Sequence, residues 1–295
     1  MPDISAIASI VTEQFGSDAK IASVQPVYGG DINEARLVVL EDGRKIFLKL
    51  NRWDKAGFFE AESKGLEAIR KTGAIQVPEL LGVGIRDKKA YLMMEYLEAG
   101  SKKAGYWEHF GKQLAAMHKA DTSEWTPGGL YGFPEDNYIG AGEQMNQIRG
   151  SWVDFFRECR LEVQFQRASH YFDSSDREAF QKLLDHLEDY IPEPEYPSLL
   201  HGDLWGGNFV TGSDGYAWLI DPAVYVGHLE ADLAMTELFG GFSRTFYESY
   251  QEINHLLPGY KDRRDLYNLY HLLNHLNLFG GGYYGSVMRI VRRFK

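Results

Sequence analysis

A chain of 295 residues, 44% hydrophobic and 25% charged, has enough apolar mass for one large domain or two lobes and no bias toward disorder. Its net charge of −11 argues against a surface that coats nucleic acid, and no segment approaches the about 18 apolar residues of a membrane span. The single cysteine, Cys159, excludes an internal disulfide framework and a multi-cysteine zinc site, and points to a reducing, cytoplasmic setting.

The chain opens on an amphipathic stripe of Ile4, Ile7, Ile10, Val11 and Phe15, expected to form a helix capped at Asp3. Short strands follow over Ala22–Tyr28, Ala35–Leu40 and Lys45–Leu50, broken by Gly29-Gly30 and by Glu41-Asp42-Gly43, as in an antiparallel meander. A helix over Phe58–Thr72 is closed by Gly73, and a further strand runs over Tyr91–Tyr96. Beyond Glu98-Ala99-Gly100-Ser101 the periodicity turns helical, over Tyr106–Lys119, Trp152–Tyr171, Asp176–Tyr190, Glu230–Phe239, Ser243–Leu256 and Asp262–Phe279. The fold class is therefore α+β and bilobal, with a small antiparallel-sheet lobe over residues 1–97 and a mostly helical lobe over 98–295. Divided at residue 100, the net charge is −2 before and −9 after, which favours a cationic or amine-bearing ligand over a polyanion in the helical part.

Within the helical part, Asn208–Thr211 and Tyr216–Ile220 read as two strands around Gly212-Ser213-Asp214-Gly215. They follow His201-Gly202-Asp203-Leu204-Trp205-Gly206-Gly207-Asn208 and precede Asp221. A kinase catalytic loop places its base aspartate five residues before a metal-binding asparagine, with a second metal-binding aspartate after a short hairpin. Asp203, Asn208 and Asp221 keep that order. If Thr211 pairs with Tyr216, Asn208 lies opposite Leu219 and Asp221 is its same-face diagonal neighbour, roughly 7 to 8 Å away. One Mg²⁺, which takes oxygen ligands completed by phosphate oxygens, then bridges the two. The bland alternative is a glycine-rich surface loop whose Asp and Asn form turns, and it requires loop, spacing, hairpin and second aspartate to coincide.

Lys49 shares a strand face with Lys45 and Phe47, opposite Ile46, Leu48 and Leu50, and by itself is as well explained by solvent exposure. Kinases pair such a third-strand lysine with a glutamate on the next helix, where Glu60 and Glu62 both stand. Gly29-Gly30-Asp31-Ile32-Asn33 is a hairpin signal suited to covering phosphates, though neither a Walker A sequence nor a full G-x-G-x-x-G. Tyr91–Leu97 fits either an adenine-binding hinge or a plain buried strand. His271 and His275 lack the zincin glutamate and are expected to be packed rather than metal-binding. Cys159 falls at helical spacing with Trp152, Phe155, Phe156 and Val163, which reads as core, and the basic tail Arg289–Lys295 reads as a solvated chain end.

Over nearly its whole length the chain resembles the fructosamine kinase, or ketosamine-3-kinase, family within the aminoglycoside-phosphotransferase-like small-molecule kinases. The most specific element is His201–Asn208, whose Leu204-Trp205-Gly206-Gly207 filling is typical of fructosamine kinases. Similar segments are Gly29–Asn33, Phe59-Glu60-Ala61-Glu62, Asp136–Gly140, Gly227–Ala234 and His275–Gly280. The resemblance implies a protein-kinase-like fold and ATP- and Mg²⁺-dependent phosphorylation of the 3-hydroxyl of ketosamines, free or on glycated protein, which initiates deglycation. It implies Asp203 as catalytic base, Asn208 and Asp221 as metal ligands, Lys49 on the ATP phosphates with Glu62 as its partner, and Gly29, Gly30 and Asp31 over the phosphates. It also implies that Glu95 and Leu97 present backbone to adenine and that Trp205 flanks the sugar. Neither nucleic acid nor membrane is implied as a partner. Rival readings are another kinase of the same fold, acting on an aminoglycoside, choline or a sugar-like acceptor, and a catalytically silent nucleotide-binding protein.

Overall fold

The computed structural model describes residues 4–28 and 33–294. The expected Asp3 cap and the Gly29-Gly30-Asp31 turn lie outside the described residues.

The first lobe is a five-stranded antiparallel sheet built from β1 (Ile21–Val27), β2 (Glu34–Leu40), β3 (Lys45–Arg52), β4 (Leu80–Arg86) and β5 (Lys89–Glu95), in the order β1-β2-β3-β5-β4. Two helices cover it, α1 (Ile4–Phe15) and α2 (Ala56–Lys71), one on each face. The two-residue period of the strands sorts their side chains between them. Ile46, Leu48, Leu50, Tyr91 and Met93 pack with Ile7, Ile10 and Val11 of α1. Ala90, Leu92 and Met94 pack on the other side with Phe59, Leu66 and Ile69 of α2. Lys49 therefore points toward α2. Strand β4 was not expected: Gly82 and Gly84 dilute its apolar signal, and only its pairing with β5 makes it a strand.

The second lobe is mostly helical. It runs through α3 (Tyr106–His118), the hairpin of β6 (Asn137–Ile139) and β7 (Gly142–Gln144), α4 (Trp152–Phe156), α5 (Glu162–Arg167), α6 (Ser174–Asp185) and α7 (Leu187–Tyr190). Strands β8 (Ser198–Leu200), β9 (Phe209–Thr211), β10 (Ala217–Leu219) and β11 (Tyr225–Gly227) follow, pairing as β8-β11 and β9-β10. Helices α8 (Leu229–Leu238), α9 (Arg244–Gln251), α10 (Tyr260–Phe279) and α11 (Tyr284–Arg293) complete it.

Four expectations need correction. The helix expected over Trp152–Tyr171 is split by a π-helical turn at Arg157–Leu161, within which buried Arg160 donates to the Met145 and Cys159 carbonyls and to Asn146. The helix expected over Asp176–Tyr190 breaks at His186, between α6 and α7. The one expected over Ser243–Leu256 ends at Gln251. The tail is not a solvated end: Val287, Met288, Ile290 and Val291 of α11 are buried, while Arg292 pairs with buried Asp176 and Arg293 with Asp262 and Asp265. Cys159 is buried as expected, and His271 and His275 belong to no metal-ligating group among the described residues.

Candidate active site

The site forms where the two lobes meet, and its floor is the loop between β8 and β9. Gly202 has φ +82°, and a Cβ there would lie 2.0 Å from the Ala223 carbonyl oxygen, so the turn after His201 admits only glycine. Buried Asp232 of α8 accepts the backbone N–H groups of His201 (2.7 Å) and Gly202 (2.9 Å) on its two oxygens, and His118 of α3 donates to it from Nε2 (3.1 Å). Burial pushes the Asp232 carboxyl up, but these donors outweigh it and hold it below the usual range.

His201 fixes the next step of the loop. Its Nε2 lies 3.0 Å from the Ile220 carbonyl, which can only accept, so Nε2 carries the proton and Nδ1 accepts the Asp203 N–H at 3.3 Å. Burial lowers the His201 pKa, in keeping with this neutral tautomer. Asp203 is thereby aimed into the cleft. Asn208 steadies it, donating from Nδ2 to the Asp203 carbonyl (2.8 Å) and carboxylate (3.0 Å). Burial pushes Asp203 up to about 7 despite the Asn208 hydrogen bond, with Asp221 and Asp232 adding negative charge. That is the range in which a carboxylate accepts a proton most effectively near neutral pH.

The hairpin register differs from expectation by one residue. Thr211 pairs with Ala217 and Phe209 with Leu219, and the Ile220 N–H donates to the Asn208 carbonyl at 3.0 Å. Strict alternation would put Asp221 and Asn208 on opposite faces. Asp221 escapes alternation because its φ is +52°, a left-handed conformation that non-glycine residues rarely adopt and that clusters at functional sites. Its side chain, 46% exposed, turns back to Lys49.

Lys49 joins the lobes. Its Nζ lies 2.7 Å from Glu62 of α2 and also donates to Asp221. Burial lowers the lysine's pKa, but the charges of Glu62 and Asp221 outweigh it and hold the ammonium above the ordinary range. Burial pushes Glu62 up against the pull of Lys49, whereas the Lys49 charge overcomes burial and holds Asp221 down. Of the two glutamates, Glu62 is the partner. The donor set suits Mg²⁺: with Nδ2 of Asn208 committed to Asp203, its Oδ1 is the amide atom left for a cation, and Asp221 is an ionised carboxylate turned toward the cleft.

At the hinge, the Glu95 N–H donates to the Glu79 carbonyl (2.9 Å) and the Glu95 carboxylate accepts the Glu79 N–H (2.8 Å). The amide N–H of Glu95 is thus already engaged. Leu97 follows in the linker, whose Gly100 N–H donates to Thr211 of β9 at 2.9 Å. Trp205 lies at the rim, 40% exposed, with its indole folded over Gly207, where a Cβ would meet the ring at 2.4 Å. Asp232 and His118 had no site role in the sequence reading. The available signal was a carboxylate in the apolar run Leu229–Met235, where burial demands donors.

The fructosamine kinase family model matches residues 3–295. The chain belongs to the fructosamine kinase family. Among relatives, it is 40% identical to a Synechocystis protein named "Probable ketoamine kinase slr1563", over 97% of this chain and 95% of that one. It is 39% identical to "Protein-ribulosamine 3-kinase, chloroplastic" of Oryza sativa subsp. indica, over 96% and 81%. A crystal structure from Haemophilus somnus, named "Putative fructosamine-3-kinase", superposes with a TM-score of 0.86 at 29% identity, covering 99% of this chain and 97% of that one. A thermostable aminoglycoside phosphotransferase APH(4)-Ia, bound to AMP-PNP and hygromycin B, shares the fold at TM-score 0.63 and 18% identity, over 98% and 96%. As a fructosamine kinase the protein is an ATP-dependent phosphotransferase with a kinase-like fold, and no helix among its described residues is long and apolar enough to cross a membrane.

Proposed function

We propose that this protein phosphorylates the 3-hydroxyl of ketosamines, free or protein-bound, with ATP and Mg²⁺. The observation that carries the reading is the convergence of the Lys49–Glu62–Asp221 cluster and the Asp203–Asn208 pair, close enough for the Asp221 charge to act on Asp203. Phosphoryl transfer asks the protein for positioning and charge stabilisation more than for covalent chemistry.

Lys49, held extended by Glu62, contacts the ATP phosphates. Asn208 and Asp221 hold Mg²⁺, which when bound neutralises charge on the phosphate oxygens. Asp203 orients the acceptor hydroxyl and takes its proton, a role worth roughly 10²- to 10⁴-fold in rate. The Glu95 carbonyl and the Leu97 backbone receive adenine, Gly29, Gly30 and Asp31 cover the phosphates, and Trp205 lies against the sugar. In this reading residues 1–97 bind nucleotide, residues 98–295 carry catalysis and acceptor, and neither nucleic acid nor membrane takes part. The free, buried Cys159 supports a reducing, cytoplasmic setting.

The relatives' names support a ketosamine acceptor. ATP consumption measured with Mg²⁺ across fructosamine and ribulosamine derivatives of lysine, beside choline and an aminoglycoside, tests it. Turnover confined to the last two would discard the ketosamine reading and keep the kinase.

A further inference from the structure

Trp205 begins a chain of aromatic rings that leads away from the catalytic loop. Its ring meets Phe239, just after α8, edge to face at 6.2 Å. Phe239 meets His275 of α10 at 5.2 Å, and His275 meets Phe279 at 5.4 Å and Tyr283 at 5.2 Å. Three segments distant in sequence supply these rings, the loop at Trp205, the end of α8 at Phe239 and the stretch from His275 to Tyr283, so the strip is a product of tertiary packing. It is also open, with Phe239 46% and Phe279 65% exposed, although large aromatics are usually withdrawn from water.

His275 gives the strip a polar point. Its Nδ1 lies 2.7 Å from the His271 carbonyl, which only accepts, so Nδ1 carries the proton. Burial favours the neutral ring, and Nε2 is then left as an acceptor among aromatic faces. Aromatic faces attract cations, and a neutral imidazole nitrogen accepts a hydrogen bond from an ammonium.

We propose that the strip Trp205–Phe239–His275–Phe279 is an amine-side subsite, holding the protonated secondary amine of the ketosamine and the carbon substituent attached to it. This rests on the ketosamine reading above. With the 3-hydroxyl at Asp203, the amine nitrogen lies only a few bonds along the same molecule, and Trp205, two residues from Asp203, is where the strip begins. The ammonium lies over Trp205 and Phe239 within reach of the His275 acceptor, and the amine's substituent runs out along Phe279.

The test uses the full chain with ATP and Mg²⁺ and two fructosamines, one made from methylamine and one from benzylamine. The parent should show the lower KM for the benzylamine derivative. Phe279→Ala, at an exposed ring outside the catalytic loop, should raise that KM about three- to tenfold, the scale of one lost aromatic contact, and leave kcat and the methylamine KM within about twofold. Phe239→Leu, which keeps an apolar side chain, should weaken binding of both derivatives because it removes a ring beside the ammonium. A KM ratio in Phe279→Ala equal to the parent's, with or without a change in sedimentation, would overturn the subsite and leave the ketosamine activity standing. A parent that turns over neither derivative would remove both readings together.

Discussion

The carboxylate of Asp232 accepts the backbone N–H of His201 at 2.7 Å, from a helix thirty-one residues further along the chain. The loop that carries Asp203 therefore hangs from α8, and its geometry depends on a buried acid bonded to its backbone. Replacing Asp232 by Asn puts a donor where an acceptor is needed and leaves a loop amide without a partner, at a cost of about 1–3 kcal/mol. Urea unfolding should show that loss, and the folded variant should lose more than about tenfold in kcat with the KM for ATP little changed. A lower urea midpoint with unaltered kcat would assign Asp232 to stability alone.

Lys49 bonds both Glu62 and Asp221. If Lys49 contacts the ATP phosphates as proposed, Lys49→Ala should lower kcat/KM for ATP by roughly 10- to 100-fold, since that charge-assisted contact is lost and two carboxylates are left facing each other. Glu62→Gln should cost less, because the lysine keeps Asp221. Initial rates against ATP at saturating acceptor separate the two.

The two-residue strand period already aimed Lys49 away from Ile46, Leu48 and Leu50, and the order of Asp203, Asn208 and Asp221 was legible in the sequence. What the sequence hid was non-local. The hairpin register is one residue off because the turn holds five residues between Thr211 and Ala217 rather than four, and the left-handed φ that brings Asp221 back toward Lys49 cannot be read from its residue type. The basic tail looked solvated because the acceptors of Arg292 and Arg293, Asp176 and Asp262, lie more than a hundred and about thirty residues away. Asp232 could be seen as a carboxylate in an apolar helix, but the amides it receives are brought to it only by the fold.

Arg263 and Glu230 form a bidentate pair, at 2.9 and 2.6 Å, with Glu230 fully buried. Arg263 also donates to the Pro258 and Leu257 carbonyls. Arg263→Met strands a buried carboxylate and should cost about 3–5 kcal/mol in denaturant unfolding. Adding Glu230→Met should restore a large part of that loss, and a double variant as weak as the single one would contradict the account of the pair.

His271 is buried, with Nδ1 unpartnered among the described residues, and burial lowers its pKa to about 3. Unfolded, it titrates near 6.5. Below that value the unfolded chain takes up a proton the folded chain refuses, so the contribution to stability is present above about pH 6.5 and lost as pH falls toward 3. Other groups titrate in the same window, so the comparison is with His271→Gln. The stability gap between parent and variant should shrink by about 1.4 kcal/mol between pH 7.5 and pH 5.5, and parallel curves would show instead that His271 takes up its proton in the fold as readily as in the unfolded chain.

The most direct test of the whole arrangement is phosphorus and carbon NMR of the product formed from a fructosamine, ATP and Mg²⁺ by the parent and by Asp203→Asn. Phosphate on the 3-oxygen in the parent, with turnover lost by roughly 10²- to 10⁴-fold in a variant that still binds ATP, is the expected result. Phosphate on another hydroxyl, or full turnover without the Asp203 carboxylate, would contradict it.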